Sequence, residues 1–276
     1  MQISASHTKN QIDNIDFISS HGHTVFHEPK KQITYQIGNR VELNKLTNIP
    51  VVCDFRVQDV KFGGQGAPLV PIGDLLLFRD YSHCLNLGGF SNISVKSNDH
   101  IVAYDICPVN IVLNKYSRLV GFDFDLDGKI SQSGKIDNNL LKLLNSISFY
   151  SLTHPKSLGV EWVENKIFPL IDSFNLSVED ALRTFVEHVA IQISNNLKGN
   201  NLKVLITGGG VKNKFLIKRI KKISNQNFET ISKNIIDYKE ALIFGFLGVL
   251  KIRNENNCLK SVTGANEDHS SGVIFQ

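Results

Sequence analysis

Cys53-Asp54-Phe55-Arg56-Val57-Gln58-Asp59-Val60-Lys61-Phe62-Gly63-Gly64-Gln65-Gly66-Ala67-Pro68-Leu69-Val70-Pro71 is the stretch around which the chain is organised. It enters as a buried strand (Val51, Val52), then sets two carboxylates and an arginine within six positions. Three glycines in four positions follow, and two prolines close the run. Glycine tolerates φ > 0 and lets another group approach the backbone closely, so the spacing predicts a rigid turn with room above it. Singly, each Asp or Gly is ordinary strand-end and loop chemistry. Together, charged groups beside a braced glycine turn point to a site, because such groups are costly to hold without a partner.

Composition frames the reading. The chain has 276 residues, 42% hydrophobic and 20% charged, with a net charge of +4. That length suits one large domain or two lobes. The basic run Lys218-Arg219-x-Lys221-Lys222 falls on a helical pattern and reads as a solvated face, so nucleic acid is not an expected partner. Four cysteines (Cys53, Cys84, Cys107, Cys258) stand far apart with no Cys-x-x-Cys, as buried free thiols in a reducing compartment do. The start, Met1 to His7, has no apolar signal region, and the apolar run Ala241 to Leu250 is too short for a bilayer. The expectation is a soluble cytoplasmic protein without a membrane partner.

Outward from the motif, the first dozen residues are polar and read as a helix end or frayed start. Ile15 to Ser20 reads as a strand running into a loop, His21-Gly22-His23-Thr24-Val25-Phe26-His27-Glu28-Pro29. Its three histidines allow a metal reading, but a polar ligand contact through a histidine and Thr24 ranks above it, and plain loop structure ranks above both. Ile33 to Ile37 alternates as a strand, and Arg40 to Thr47 reads as a short helix. His83 to Val95 is a hairpin with Gly88-Gly89 at its tip and Ser91 and Asn92 beside it. Such a tip turns backbone N–H groups toward an anion, although a Gly-Gly hairpin alone is most often just a turn. Ile101 to Ile106 is the next strand, leading to Asp105-Ile106-Cys107-Pro108-Val109-Asn110.

Asp123 to Gly128 has part of a calcium-loop spacing, but the required glutamate is absent at its offset, so it reads as a solvated acidic loop. Ser177 begins a long helix as N-cap, with its apolar face running from Ala181 to Leu197. Lys203 to Thr207 is a buried strand, followed by Gly208-Gly209-Gly210 and a helix through Asn213. A strand, a glycine turn and a helix N-terminus suit a nucleotide as well as they suit packing. Neither Gly-x-Gly-x-x-Gly nor a P-loop is present. Glu240 opens an apolar helix, where it serves either the helix dipole or a cleft. The tail Leu259 to Asn266 reads as loop.

Asp-Phe-Arg-x-x-Asp followed by Gly-Gly-Gln-Gly-Ala-Pro-Leu-Val-Pro resembles the central motif of the anhydro-N-acetylmuramic acid kinases. The likeness extends to His-Gly-x-Thr at 21–24, Asn86 to Ile93, Pro155-Lys156-Ser157, Leu205 to Asn213, Glu240-Ala241 and Ser261-Val262-Thr263-Gly264-Ala265. It implies an α/β, actin-like (ribonuclease H-like) two-lobe sugar kinase fold around a cleft. The lobes would be 1–80, carrying the sugar-site motif, and 81–276, carrying the phosphate hairpin and the adenosine turn.

The implied activity uses ATP and Mg²⁺ to open the anhydro ring of a small-molecule amino sugar with water while phosphorylating O6. Asp59 would be the base, with Asp54 and Arg56 positioning the motif, and His21, Thr24, Gly64, Gln65 and Glu240 at the sugar. Gly88, Gly89 and Asn92 would meet the phosphates, and Gly208, Gly209, Gly210 and Asn213 the adenosine. No direct metal ligand is assigned, and the assembly is compatible with a homodimer.

Three departures stand out. His23 replaces a usual Gln, and Cys107 and Val109 replace glycines. The family's opening Gly-Thr-Ser-x-Asp-Gly phosphate loop has no counterpart, so the first lobe is expected to be incomplete, with little or no kinase activity in the chain as it stands. The rival readings are a non-catalytic sugar- or nucleotide-binding relative and, last, a metal-dependent hydrolase using His21, His23 and His27.

Overall fold

The computed structural model describes residues 15–97, 100–229 and 232–276. The reading of the first dozen residues lies outside them. Contacts divide the chain into two compact units, Met1–Leu77 with Glu240–Gln276, and Phe78–Lys239. The expected second lobe, 81–276, therefore stops short of the C-terminus. The tail packs with the central motif, because Gln65 N–H donates to Thr263 O, Asn266 N–H to Phe62 O and Ser271 Oγ to Phe55 O.

In the first unit, β1 (Ile18–Ser20) pairs parallel with β4 (Val51–Cys53), and β10 (Val273–Phe275) lies antiparallel on the far side of β4. β4 is fully buried, as its unbroken Val-Val-Cys run requires of a central strand. The segment read as a histidine loop is instead a strand, β2 (His23–Glu28), in a hairpin with β3 (Ile33–Ile37). Its Val-Phe pair supplies strand propensity that outweighs the polar flanks. The short helix at 41–47 forms as its pattern predicts. The central motif is not one turn, however. It contains the short helix Val57–Lys61 before the glycines and the helix Pro71–Leu77 after them. Proline at the first helical position suits that second start, since its missing N–H would be unpaired there anyway.

The second unit carries a five-stranded sheet in the order β7-β6-β5-β8-β9, with β5 (His83–Leu87), β6 (Phe90–Ser97), β7 (His100–Pro108), β8 (Val204–Thr207) and β9 (Phe228–Glu229). β5–β7 form the expected antiparallel run, and β8 joins β5 in parallel after a long helical crossover. The helix Val178–Asn195 buries Leu182, Phe185, Val189 and Ile193 on one face at helical spacing. Ser177 caps it, accepting from Asp180 N–H at 3.2 Å. The α/β character implied by the resemblance is that of the structure. The calcium-like loop uses Asp125 inwardly: its carboxylate accepts from Ile130 N–H, Ser131 N–H and Ser131 Oγ. All four cysteines are free and buried. Burial pushes the Cys107 thiol up to about 12, and the Cys53 thiol to about 11.

His188 is fully buried, with Nδ1 2.7 Å from Asn145 Oδ1 and Nε2 3.0 Å from Tyr150 Oη. Burial lowers its pKa to about 3, so the folded state holds it neutral. Its contribution to stability is present above the unfolded-state value of 6.5 and is lost progressively as pH falls toward 3. Thermal unfolding followed from pH 7 to pH 4 should show this loss, and His188→Asn should flatten that part of the profile.

Candidate active site

Two parallel strands end side by side, and the residues just past them carry the chemistry: Ser20 leads into His21-Gly22, and Cys53 into Asp54-Phe55-Arg56. Ligands of α/β sheets bind beyond such carboxyl ends. Asp54 sits at φ 58, a left-handed conformation that a non-glycine residue adopts at a cost of about 1–3 kcal/mol. It is half-buried, receives a long 3.4 Å hydrogen bond from Asn39 Nδ2, and helps line a cavity of about 410 Å³. Burial raises its pKa, against the pull of Lys61 and Arg40.

Arg56 gathers the rest of the motif. Its Nη1 donates to Gly66 O at 2.6 Å, while Nε and Nη2 reach His21 Nε2 at 3.0 and 2.7 Å. Burial and the neighbouring guanidinium hold His21 down at about 4, so its ring is neutral and Nε2 accepts. The His21 ring also packs on Phe244, centroids 4.1 Å apart. Glu240 is exposed, and its charge favours the protonated Arg56. Thr24 is half-buried, 3.4 Å from Gln36 Nε2, and the Gln65 side chain is exposed.

Asp59 is placed differently from expectation. It is 0% exposed, Oδ2 accepts from Gly66 N–H at 2.7 Å, and Oδ1 accepts from Thr263 Oγ1 at 2.7 Å. A carboxylate sealed in this way cannot reach a water at a sugar ring. The assignment of Asp59 as base is corrected: it is the internal clamp of the glycine turn. Gly64 shares its fate. It is buried where a methyl group would overlap the Asp59 carboxylate, so it packs instead of lining a substrate surface. Of the two acids in the motif, Asp54 is the accessible one.

Beside Asp59 lie Cys258 and His269, whose ligand-type atoms fall within 4.8 Å of one another and of Asp59. Among the described residues this is the one such cluster of three, and it does not include His21, His23 or His27. His269 Nδ1 donates to Glu267 O at 3.0 Å, and its Nε2 faces Asp59 Oδ1 at 3.5 Å. Sequence reasoning missed His269. Its signal, a lone histidine in a polar tail, cannot be told from a surface loop.

The second unit brings its own candidates together. Gly89 is exposed, with nothing within 4 Å of where a side chain would begin, while Gly88 N–H is closed onto Phe90 O. A side chain at Gly208 would collide with Asn86 Oδ1 and Leu87 O, and Gly209 lies near Asn110 Nδ2. The hairpin tip, the glycine turn and the start of the helix Asn110–Leu119 thus share one corner of this unit. Gly209 is exposed there, and Asn92 is exposed opposite Asp105 on β7. Gly210 is buried against Leu87. Asn213 caps the helix Lys214–Ser224 through Oδ1 to Leu216 N–H at 2.9 Å, so its acceptor is already used. Cys107 and Val109 sit fully buried where the resemblance expects glycines; Cys107 lies in β7, whereas Val109 takes φ −132, ψ −93, outside the regions a β-branched residue ordinarily adopts. Asn86 and Asn110 complete this corner and were not singled out from sequence.

The clamp is testable as structure. Asp59→Ala removes the acceptor of two buried donors and should lower unfolding free energy by roughly 2–4 kcal/mol in denaturant titrations. Asp54→Ala, which removes only the long 3.4 Å hydrogen bond from Asn39 Nδ2, should cost less by the same measurement.

Comparison with known proteins matches residues 3–276 to the family model "Anhydro-N-acetylmuramic acid kinase". The kinase of that name from Pseudomonas syringae pv. syringae is 36% identical over 274 residues, covering 94% of this chain and 74% of the relative. Those from Mannheimia succiniciproducens and Sulfurovum sp. are 36% and 34% identical over 95% of this chain. Among solved structures, the activator of the 2-hydroxyisocaproyl-CoA dehydratase from Clostridium difficile with bound ADPNP aligns over 69% of each chain, with a TM-score of 0.41 and 16% identity. On the family match and the identities together, the chain belongs to the anhydro-N-acetylmuramic acid kinase family.

Proposed function

We propose that this protein is an ATP-dependent phosphotransferase acting on 1,6-anhydro-N-acetylmuramic acid. Water opens the anhydro ring, O6 is phosphorylated, and the product is N-acetylmuramic acid 6-phosphate. The observation that carries the reading is Asp54, held at φ 58 past the end of β4 and beside an open cavity, within a family-matched motif. Cell-wall recycling in the cytoplasm is the corresponding setting. Among the described residues no helix is long and apolar enough to cross a membrane.

Asp54 acts as the base. Attack at the anomeric carbon requires the water to lose a proton, and Oδ1 or Oδ2 of Asp54 takes it. A carboxylate whose pKa is raised by burial accepts that proton more readily than an ordinary one. Arg56 does not carry charge to the substrate. Its guanidinium is occupied by Gly66 O and His21 Nε2, which fixes the turn on one side and the imidazole on the other. With Nε2 accepting, neutral His21 keeps its proton on Nδ1, the nitrogen left for its hydrogen bond to the Gly22 backbone. Glu240 and Thr24, the other residues implied at the sugar, lie in the same unit but outside the lining of the Asp54 cavity.

The corner of Gly89, Gly208, Gly209 and Asn110 fits a nucleotide, because Gly89 and Gly209 leave backbone exposed where side chains would stand. ATP bound there supplies the phosphoryl group that captures O6, and Mg²⁺ is the counter-ion its phosphates would bring. The protein's contribution is positioning and exclusion of stray water.

Asp54→Asn should reduce kcat by about 10²–10⁴ while leaving thermal unfolding within a few degrees of wild type. In the wild type, kcat/KM should fall with acid through a pKa above the ordinary carboxylate value, and the Asn variant should lose that limb. An Asp54→Asn protein with unimpaired turnover would remove the base from the mechanism.

A further inference from the structure

The cavity beside Asp54 contains a polar atom that the fold itself does not satisfy. Gln36, on β3, is 2% exposed and lines the cavity. Its Nε2 donates to Thr34 Oγ1 at 2.8 Å and reaches Thr24 Oγ1 at 3.4 Å. Its Oε1 is buried and has no hydrogen-bond partner. A buried acceptor left open costs about 1–3 kcal/mol, so such an atom calls for a donor from outside the fold.

Arg40 lines the same cavity, near enough to Asp54 to lower that group's pKa. Its guanidinium lies 4.9 Å above the Tyr35 ring. Stacking occupies the flat face of the group and leaves its N–H edge as a donor fork, the geometry that matches a carboxylate. Neither Arg40 nor Gln36 belongs to the motif that carries the family resemblance. One cavity therefore offers a base, an unpaired neutral acceptor and a cation.

We propose that Arg40 and Gln36 set the specificity of this site for an acidic amino sugar, a reading that rests on the function proposed above. Arg40 takes the carboxylate of the lactyl ether on O3, the group that distinguishes a muramic from a glucosamine ring. Gln36 Oε1 accepts the acetamido N–H that both rings share. Asn39 Nδ2, already directed at Asp54 Oδ1, keeps the base oriented between them. The discrimination is then separable by residue: one side chain reads the acid, the other reads the amide.

Calorimetric titration of the full chain with 1,6-anhydro-N-acetylmuramic acid and with 1,6-anhydro-N-acetylglucosamine tests this. Arg40→Gln should weaken the muramic sugar by about tenfold, the ~1.4 kcal/mol of one charge-assisted hydrogen bond, and leave the glucosamine sugar within about twofold. Gln36→Met should weaken both by similar factors. Arg40 is on the surface, so its variant decides the matter even where the buried Gln36 variant folds poorly. An Arg40→Gln protein that keeps the wild-type preference between the two sugars overturns the inference and leaves the proposed function standing. A wild-type protein that binds neither sugar overturns both.

Discussion

Gly66 is gripped at both ends of its peptide. Its N–H is taken by the Asp59 carboxylate and its carbonyl by the Arg56 guanidinium. With φ at +67 and a methyl group excluded by Val60 and the Arg56 backbone, the position admits glycine only. The grip is distributed. Thr263 holds the other oxygen of Asp59, the Thr263 carbonyl receives Gln65 N–H, and Arg56 goes on to His21. Three segments far apart in sequence (21–22, 54–66 and 259–271) are thereby locked around one turn, and the orientation of Asp54 at the mouth of the cavity follows from that lock.

This arrangement separates two duties that the spacing Asp54…Asp59 leaves indistinguishable. Five residues apart, either acid suits a base. Burial decides between them. The acid that satisfies backbone and hydroxyl donors in a dry interior is committed to the fold, and the one left half-exposed in a strained conformation is free to exchange a proton. The energetics agree with that division.

Much of this was legible in the sequence. The strands at 83–95, 101–106 and 203–207, the Ser177 cap and the glycine turn at 208–210 are local patterns, and local patterns survive tertiary packing. The gathering of the 53–71 stretch into one hydrogen-bonded glycine turn was legible as well, because charge beside glycine is costly without a partner. Other features depended on long-range contacts. The tail 259–271 reads as loop, yet it returns to supply Thr263, His269 and Ser271 to the motif. Gln36 reads as the polar face of an alternating strand, and only the cavity and its unpaired oxygen give it meaning. Asn213, read as a nucleotide contact, closes a helix end, a use that the residue type serves equally well.

Native-state hydrogen exchange at the Gly66 amide tests the clamp most directly. An N–H held by a fully buried carboxylate should exchange only through global unfolding, with protection equal to that of the core strand Val51–Cys53 and reduced in Thr263→Val. Exchange of the Gly66 amide at the rate of an open surface loop, with the core still protected, would contradict the account.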